Sequence, residues 1–305
     1  MSVRIGLGLA NFQFSDANAF WRWVDLCEAG DIDSIWQSDS IVSTEPFLEC
    51  MSVMAALAGA TSRLKFGMSV LALGLRDPFM IARQCATIDY LSNGRLLPAF
   101  GIGALAMPDW NILGIPSEGQ GARMDEALEI IERLWRGDLV DFEGRFFRYK
   151  GASFLPLPVQ VPMPLWLGGS SKAAIRRTGR FGTGWQAGLE SPDEVAATIA
   201  SIHLAAESCG RTIDPEHFSA GFFYRIAPSG GSEAETYRAE MRKRFSGADI
   251  DHAVVIGEAS RVVERINEFK AAGVTKFILR PIGQGNNEIF AQTRHLIDKV
   301  IPHIE

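Results

Sequence analysis

The sequence predicts one α/β domain built as a (β/α)8 barrel, and three observations support this fold class. Eight short, nearly continuous apolar segments alternate with amphipathic helical segments, as expected for parallel strands covered on both faces. The length of 305 residues suits a single large barrel. The composition, 47% apolar and 22% charged, is that of a globular chain that can bury a core.

Each predicted strand is an aliphatic or aromatic run bounded by turn-forming residues. The predicted strands are residues 3–9, 34–37, 64–70, 96–102, 165–167, 184–187, 219–226 and 276–280. Between them, apolar residues recur at helical spacing, and several segments begin with proline or end in a glycine turn. The predicted helices are residues 17–28, 46–60, 78–91, 122–136, 171–180, 192–207, 233–245, 258–272 and 287–300. A doubly wound open sheet is the alternative topology.

Two stretches exceed a minimal barrel and are predicted to be insertions on one domain spanning residues 1–305. Residues 103–121 are rich in Gly and Pro, and residues 137–164 contain a predicted hairpin around Gly144 followed by four prolines. Neither stretch has an apolar core of its own, so we expect insertions rather than separate domains.

Composition and charge disfavour several classes of protein. The net charge of −6 comes without a basic patch, which disfavours nucleic-acid binding. The four cysteines form no CxxC pair, which fits a reducing cytosol better than a disulfide scaffold or a zinc site. The sequence shows no signal-peptide pattern and no apolar run of membrane-spanning length, so we expect a cytoplasmic protein without a membrane or nucleic-acid partner.

The sequence lacks the motifs of several common enzyme classes. The five histidines fall at no metal-binding spacing, and HExxH, GxSxG and GxxxxGK[ST] motifs are all missing from the sequence. We therefore expect no metal site, and we expect a cofactor to carry any difficult chemical step.

The best candidate anion site follows the fifth predicted strand. Gly168 and Gly169 allow backbone amides to approach a ligand, and Ser170 precedes a helix N-terminus that favours negative charge. A phosphate would fit this corner, but the same residues also suit an ordinary helix cap, and the sequence favours neither interpretation. Gly184 and Trp185 form a similar turn one helix later and could present amides to the same phosphate.

Other candidates lie where predicted strands end, at the face that carries barrel active sites. Asp39 follows the second strand and is either a catalytic carboxylate or a turn residue. Gly101 and Gly103 end the fourth strand, where they could let a flat ring pack or could simply form a tight exit. Five apolar residues lie at or near these strand ends: Trp36, Met68, Val70, Trp166 and Trp185. They could line a site for an aromatic ligand or could belong to the ordinary hydrophobic core.

Several sequence blocks, in order along nearly the whole chain, resemble the bacterial luciferase-like family of flavin-dependent oxidoreductases. The matching blocks are residues 61–67, 91–95, 101–103, 126–135, 162–170, 184–185, 255–257 and 272–274, with Pro78, Ala82, Arg123, Glu143 and Gly144. The resemblance implies a (β/α)8 barrel, usually a homodimer, that holds reduced FMN or the deazaflavin coenzyme F420 in its mouth.

The resemblance also implies roles for particular residues. In such enzymes a bulge after the third strand, often with a non-prolyl cis peptide, supports the coenzyme ring, and Ser69-Val70 occupies that position. The coenzyme phosphate is expected on Gly168, Gly169 and Ser170.

The resemblance leaves the activity open between several hypotheses. Many relatives have Asp-His where this chain has Asp39-Ser40, which argues against a mechanism that uses an imidazole there. The leading hypothesis is a monooxygenase that uses reduced FMN and O2 on a small organic substrate, with a flavin reductase as a possible partner. The alternatives are F420-dependent hydride transfer, a non-redox barrel isomerase or lyase with Asp39 as its base, and an inactive flavin-binding relative.

Overall fold

A computed structural model of the chain describes residues 3–9, 11–103, 108–228, 232–244 and 251–304. The strands are β1 (Arg4–Leu9), β2 (Ser34–Gln37), β3 (Lys65–Met68), β4 (Leu71–Ala72), β5 (Leu96–Leu97), β6 (Ala99–Gly101), β7 (Val140–Glu143), β8 (Arg148–Ala152), β9 (Trp166–Gly168), β10 (Gly184–Gln186), β11 (Phe218–Ala220), β12 (Phe223–Ile226), β13 (Val254–Gly257) and β14 (Lys276–Pro281). The α-helices are α1 (Ala17–Ala29), α2 (Cys50–Ala60), α3 (Pro78–Leu91), α4 (Asp109–Ile112), α5 (Gln120–Trp135), α6 (Lys172–Phe181), α7 (Pro192–Ser208), α8 (Ser232–Arg244), α9 (Ala259–Ala271) and α10 (Gly285–Lys299).

The parallel strands form a closed circuit, which confirms the predicted barrel rather than the open-sheet alternative. β1 pairs with β2 on one side and with β14 on the other, and β2 pairs with β3. The next two barrel strands are each interrupted: β3 and β4 form one, and β5 and β6 form the other. β3 pairs with β5 and β4 pairs with β6. The pairing continues from β6 through β9, β10 and β11 back to β14. All eight predicted strands are therefore present in the predicted order, but the strand predicted over residues 219–226 is divided into β11 and β12, which both pair with β14.

The structure adds elements that the sequence patterns do not predict. β13 pairs in parallel with β12, and α4 lies within the first predicted insertion, of which residues 104–107 fall outside the described part. The second insertion contains the predicted hairpin, as the antiparallel pair β7 and β8. The helix predicted from residue 46 begins instead at Cys50, because the Glu49 side chain accepts hydrogen bonds from the amides of Met51 and Ser52 and caps the helix there. The helix predicted over 233–245 is α8, and residue 245 lies outside the described part.

Two tryptophans fill the barrel interior. Trp36 and Trp166 are buried with ring centroids 6.1 Å apart. A Cβ on Gly67 would lie 2.6 Å from the Trp36 ring, and a Cβ on Gly184 would lie 2.7 Å from the Trp166 ring. Glycine on the neighbouring strands therefore provides the volume that these indoles occupy.

At the base of the barrel, where the strands begin, arginine side chains hydrogen-bond to the main chain of neighbouring loops. The guanidinium of Arg63 donates to the carbonyl oxygens of Cys27, Glu28, Gly30 and Ile32 at the end of α1. These carbonyls belong to a helix end and the loop after it, where main-chain acceptors lack helical partners. Arg63 thus ties the loop before β3 to the loop before β2.

Arg95 makes an equivalent set of contacts one unit further along. Its acceptors are the carbonyl oxygens of Ala58, Thr61, Leu64 and Ser92 and the hydroxyl of Thr61. Its guanidinium also lies over the Phe66 ring, with 5.3 Å between the guanidinium carbon and the ring centroid. The two arginines join three consecutive helix ends to the strands that follow them.

The carboxylate of Glu28 completes this base network. It accepts hydrogen bonds from the amides of Ser62, Arg63 and Leu64 and from the Ser62 hydroxyl. Burial alone would raise the pKa of Glu28, but these hydrogen bonds outweigh burial and lower the pKa to about 2. Glu28 is therefore held as a carboxylate that anchors the loop before β3.

Among the described residues, none of the helices combines the length and the apolar character that a membrane crossing requires.

Candidate active site

The segment between β3 and β4 carries the expected non-prolyl cis peptide, at Ser69–Val70. The Val70 side chain lies against two glycines from neighbouring strands. A Cβ on Gly101 would lie 2.7 Å from Cγ2 of Val70, and a Cβ on Gly168 would lie 3.2 Å from its Cγ1. The bulge, the end of β6 and the end of β9 therefore meet at one apolar platform in the barrel mouth, which we call the Val70 platform.

A polar cluster lies beside the Val70 platform. The Ser69 hydroxyl oxygen accepts hydrogen bonds from Gln186 Nε2 at 3.2 Å and from Arg280 Nη2 at 2.9 Å. Gln186 is 4% exposed, and its Oε1 has no hydrogen-bond partner among the described residues. Buried polar atoms are normally paired, so an unpaired one at an active-site face marks a position where a ligand group can bind.

The sequence patterns do not identify Gln186 and Arg280 as candidate site residues. Each lies at or next to the carboxyl end of a predicted strand, so strand position alone was the available signal. What brings them to Ser69 is the arrangement of β3, β10 and β14 in the closed barrel, which no local pattern encodes.

The predicted phosphate corner is open. Gly169 has a φ of +100°, and both Gly169 and Ser170 are exposed at the start of α6. Ser171 caps this helix by accepting a hydrogen bond from the amide of Ala174 at 3.2 Å. Among the described residues, a Cβ on Gly169 would approach only the Ala174 methyl group, at 3.3 Å, so no side chain of that part of the chain lies against Gly169 on this side.

The second predicted turn lies deeper in the barrel. Gly184 is buried against Trp166, and Trp185 is fully buried with its Nε1 donating to the carbonyl oxygen of Gly169 at 3.0 Å. Trp185 therefore supports the phosphate corner from below. Gly103, with a φ of +79°, is half-buried at the end of the β6 segment.

Asp39 lies at the mouth with both carboxylate oxygens engaged. It forms a bidentate ion pair with Arg76 at 2.7 and 2.8 Å and accepts a hydrogen bond from the Ala72 amide at 3.0 Å, and its side chain is 3% exposed. These contacts join the loop after β2 to the segment after β4. A catalytic role for Asp39 stays a prediction, and the observed geometry is that of a residue that positions two loops.

Trp36, predicted to contact the coenzyme, lies inside the barrel. It is fully buried, its Nε1 donates to the Ser34 hydroxyl at 2.9 Å, and it belongs to the apolar cluster against which Val70 packs. Any contribution of Trp36 to a ligand site is therefore through its support of the Val70 platform from beneath.

A cavity of about 420 Å³ opens beside the polar cluster, at the carboxyl ends of β1 and β14. Arg280 lies between the two, since it lines the cavity and also donates to Ser69. Helix α8 covers the cavity with Tyr237 and Met241. The Tyr237 hydroxyl donates to Glu288 Oε2 at 2.8 Å, which fastens α8 to α10.

Further unpaired polar atoms lie on the same face. Asp109 is 1% exposed; its Oδ1 accepts from the amides of Ile41 and Val42, while its Oδ2 has no hydrogen-bond partner in the described chain. Gln120, at the start of α5, is buried with neither amide atom paired among the described residues. Within that same part of the chain, no three His, Cys, Asp or Glu residues are grouped to hold a metal ion.

Comparison with known proteins identifies relatives along most of the chain. A family model for luciferase-like monooxygenases matches residues 6–246. Uncharacterized proteins of Mycobacterium tuberculosis and Mycobacterium bovis are 36% identical over 169 residues, or 55% of this chain and 57% of each relative. The chain thus spans little more than half the length of these curated relatives.

Solved structures share the whole fold at low sequence identity. Monooxygenase RslO1 from Streptomyces bottropensis superposes with a TM-score of 0.85 at 20% identity, over 98% of this chain and 99% of that one. An F420-dependent secondary alcohol dehydrogenase in complex with an F420-acetone adduct gives 0.85 at 19%, with full coverage of both chains. The oxygenating constituent of 3,6-diketocamphane monooxygenase from Pseudomonas putida, in complex with FMN, gives 0.79 at 18%, over 100% of this chain and 99% of that one. At these identities the likeness concerns the fold.

Proposed function

The chain belongs to the luciferase-like monooxygenase family of flavin- or F420-dependent oxidoreductases, and we propose that it oxygenates a small organic substrate with reduced FMN and O2. The observation that carries this proposal is the arrangement of the barrel mouth. An apolar platform, a polar cluster with an unpaired acceptor and an open, glycine-lined helix N-terminus lie next to one another.

The residues of the mouth fit a flat redox coenzyme with an anionic tail. At the Val70 platform the glycines Gly101 and Gly168 leave room for the Val70 side chain, which offers one apolar surface to a ring. Gln186 Oε1 and the Ser69 hydroxyl offer hydrogen-bonding groups to the edge of that ring. The corner at Gly169 and Ser170 is exposed at the N-terminus of α6, where the helix dipole and free backbone amides favour a phosphate.

In this proposal each residue has a distinct task at the mouth. Reduced FMN, when bound, would supply two electrons to dioxygen. Val70 and the glycines beside it orient the ring and exclude water from one of its faces. Arg280, which is half-buried, places a positive charge beside the ring and holds the Ser69 oxygen in position through its 2.9 Å hydrogen bond.

One observation favours F420-dependent hydride transfer as a second candidate. Gly169 and Ser170 are exposed, so a tail longer than that of FMN can continue from the corner into solvent. The non-redox alternative has less support from the geometry, because Asp39, its proposed base, is held by Arg76 and the Ala72 amide. The proposed partners are the organic substrate, a flavin reductase where FMN is used, and a second copy of this chain.

The proposal is tested by titrating the purified chain with FMN and with F420, in oxidised and reduced forms, while ring fluorescence is recorded. We expect saturable binding of one coenzyme with a Kd below about 10 μM, comparable to ordinary cofactor affinities. Because O2 also oxidises reduced FMN without the protein, oxygenation is identified by incorporation of an oxygen atom from labelled O2 into a product, and hydride transfer by a product that gains none. The absence of binding for both coenzymes would contradict the proposal.

A further inference from the structure

One ion pair binds both polar main-chain groups of Ala72, which follows Val70 by two positions. The Ala72 amide donates to Asp39 Oδ2 at 3.0 Å, and the Ala72 carbonyl oxygen accepts a hydrogen bond from Arg76 Nη1 at 3.2 Å. The same guanidinium forms the bidentate contact with Asp39, at 2.7 and 2.8 Å. We call this unit the Asp39–Arg76 pair.

The Asp39–Arg76 pair occupies the place of a neighbouring strand beside β4. β4 pairs with β6 along one edge, where Ala72 lies opposite Gly101, and among the described strands it has no other partner. A strand residue directs its N–H and C=O groups to the same edge of the strand, and at an edge strand these groups lack partners. The carboxylate and the guanidinium therefore supply the acceptor and the donor that a further strand would supply.

The position of Ala72 in turn determines the position of Val70. Only Leu71 separates the two residues along the chain. Gly101, the strand partner of Ala72, is also the glycine that leaves room for the Val70 side chain, because a Cβ there would lie 2.7 Å from Val70 Cγ2. A displacement of β4 relative to β6 would therefore displace Val70 relative to the rest of the platform.

The geometry of the Asp39–Arg76 pair makes it a rigid connection. The side chains of Asp39 and Arg76 are 3% and 13% exposed, and Arg76 Nη2 lies 3.8 Å from Glu49 Oε1 at the start of α2. Loss of one partner would leave the other charge buried without compensation. A guanidinium is planar and holds its donors in a fixed fork, whereas the ammonium group of a lysine is a single point charge on a flexible stem.

We infer that Arg76 is a positioning residue for the coenzyme: it acts through Asp39 and Ala72, which hold Val70 in the place where the ring binds. Asp39 belongs to the same positioning unit. The inference rests on the proposed function in one respect, because it takes the Val70 platform as the surface that contacts the ring. The connection from Arg76 to Val70 rests on the contacts of the chain itself.

The test combines two Arg76 variants with a change in the platform. Arg76→Gln removes the charge, and Arg76→Lys keeps the charge but lacks the fork. Val70→Ala shortens the platform, alone and together with each Arg76 variant. The matched control is Arg63→Gln, which removes a guanidinium that also donates to main-chain carbonyls, but at the base of the barrel.

Two quantities are measured on the full chain. The NMR signals of the Val70 methyl groups, recorded without coenzyme, report the position of the platform. Fluorescence titration with FMN and with F420 gives the dissociation constants, and circular dichroism of the bound ring reports its surroundings.

We expect both Arg76 variants to shift the Val70 methyl signals, to alter the circular dichroism of the bound ring and to weaken coenzyme binding about tenfold, as is typical of residues coupled through a shared backbone shift. In the Val70→Ala background the Arg76 variants should cause no further loss of affinity, because the surface that Arg76 positions has been removed. Arg63→Gln should change neither quantity. If Arg76→Gln does not fold, Arg76→Lys provides the same comparison.

The inference is overturned if the Val70 methyl signals do not move, if Arg76→Lys binds the coenzyme as tightly as the wild type, if the loss of affinity persists in the Val70→Ala background, or if Arg63→Gln weakens binding equally. Failure of both coenzymes to bind the wild-type chain would contradict the proposed function. The Val70 methyl signals would then decide alone: a shift in the Arg76 variants supports the positioning role, and no shift overturns it.

Discussion

The two ends of the barrel differ in how completely their buried polar groups are hydrogen-bonded. At the base, Arg63, Arg95 and Glu28 are paired many times over with main-chain groups of the chain itself. At the mouth, buried side-chain atoms of Gln13, Gln186, Asp109 and Gln120 have no partner among the described residues. Thr275 is an exception at the base, where its hydroxyl is unpaired within the described chain.

This difference indicates that the base residues stabilise the fold and the mouth residues bind a ligand. Paired polar groups at the base stabilise the loops that set strand order, and their removal leaves buried carbonyls unsatisfied. Unpaired buried groups at the mouth lower the stability of the free chain, because they have lost water without gaining a hydrogen bond, and a ligand that pairs with them removes this cost. Substitutions at the base are therefore expected to change stability, whereas substitutions at the mouth are expected to change binding.

The largest effect is expected from Arg95→Ala at the base. Loss of the guanidinium leaves four carbonyl oxygens and the Thr61 hydroxyl without their donor, so the free energy of unfolding should fall by about 3 kcal/mol. Coenzyme affinity of the folded fraction should not change. Urea denaturation followed by fluorescence measures the loss, and Arg176→Ala, at an exposed arginine, serves as the control. A large loss of coenzyme affinity with an unchanged free energy of unfolding would contradict the difference between the base and the mouth.

The next effect is expected from Ser170→Asp at the phosphate corner. The added carboxylate lies beside the proposed phosphate, so coenzyme affinity should fall about tenfold at low salt, and by less at high salt. Ser170 is exposed, so the free energy of unfolding should stay within about 0.5 kcal/mol of the wild-type value. Ser170→Asn is the uncharged control. Equal affinity for both variants and the wild type would place the phosphate elsewhere.

A smaller effect is expected from Gln186→Leu in the polar cluster. The change removes an unpaired buried oxygen, and Ser69 keeps its hydrogen bond from Arg280, so stability should be unchanged or slightly raised. Coenzyme affinity should fall about fivefold through loss of one hydrogen bond to the ring edge. Thermal denaturation and fluorescence titration on the same preparation separate the two quantities. A marked drop in melting temperature would contradict this prediction, because it would show that Gln186 stabilises the fold as the base residues do.

A dependence of stability on pH is expected from the titration of Glu28. Its pKa is about 2 in the folded chain against an ordinary value of 4.5, so the stabilisation is present above pH 4.5 and is lost as pH falls toward 2. The difference in unfolding free energy between wild type and Glu28→Gln should therefore be constant above pH 5 and shrink on acidification. Denaturant melts at several pH values measure it. A difference that grows on acidification would have the wrong sign.

The barrel was predictable from the sequence for a physical reason, whereas the contacts of its base were not predicted. Strand and helix periodicities are local, and the blocks around residues 61–67 and 91–95 that carry the family resemblance include the two base arginines. Both arginines contact helix ends within about one βα unit of their own position. The contacts themselves were not predicted, because they join residues about one βα unit apart, such as Arg63 and Glu28, which only the folded barrel brings together.

The mouth was predictable only in part. The bulge at Ser69–Val70 and the glycine corner at Gly168–Ser170 each lie within a single segment, so sequence patterns could mark them; the cis peptide is observed, and the phosphate at the corner stays a prediction. The polar cluster instead joins Ser69 to Gln186 and Arg280, which lie 117 and 211 residues away. The hydrogen bond between Asn11 and Glu45 likewise joins residues on either side of α1 and β2. Pairings of this kind depend on barrel closure, so no spacing in the sequence reveals them.

The most direct test of this account is a crystal structure of the chain with its coenzyme bound. The account expects the ring to lie on Val70 with its edge at Ser69 and Gln186, and the phosphate to lie at Gly169 and Ser170. A ring located at the base of the barrel, or a phosphate bound away from the start of α6, would contradict it.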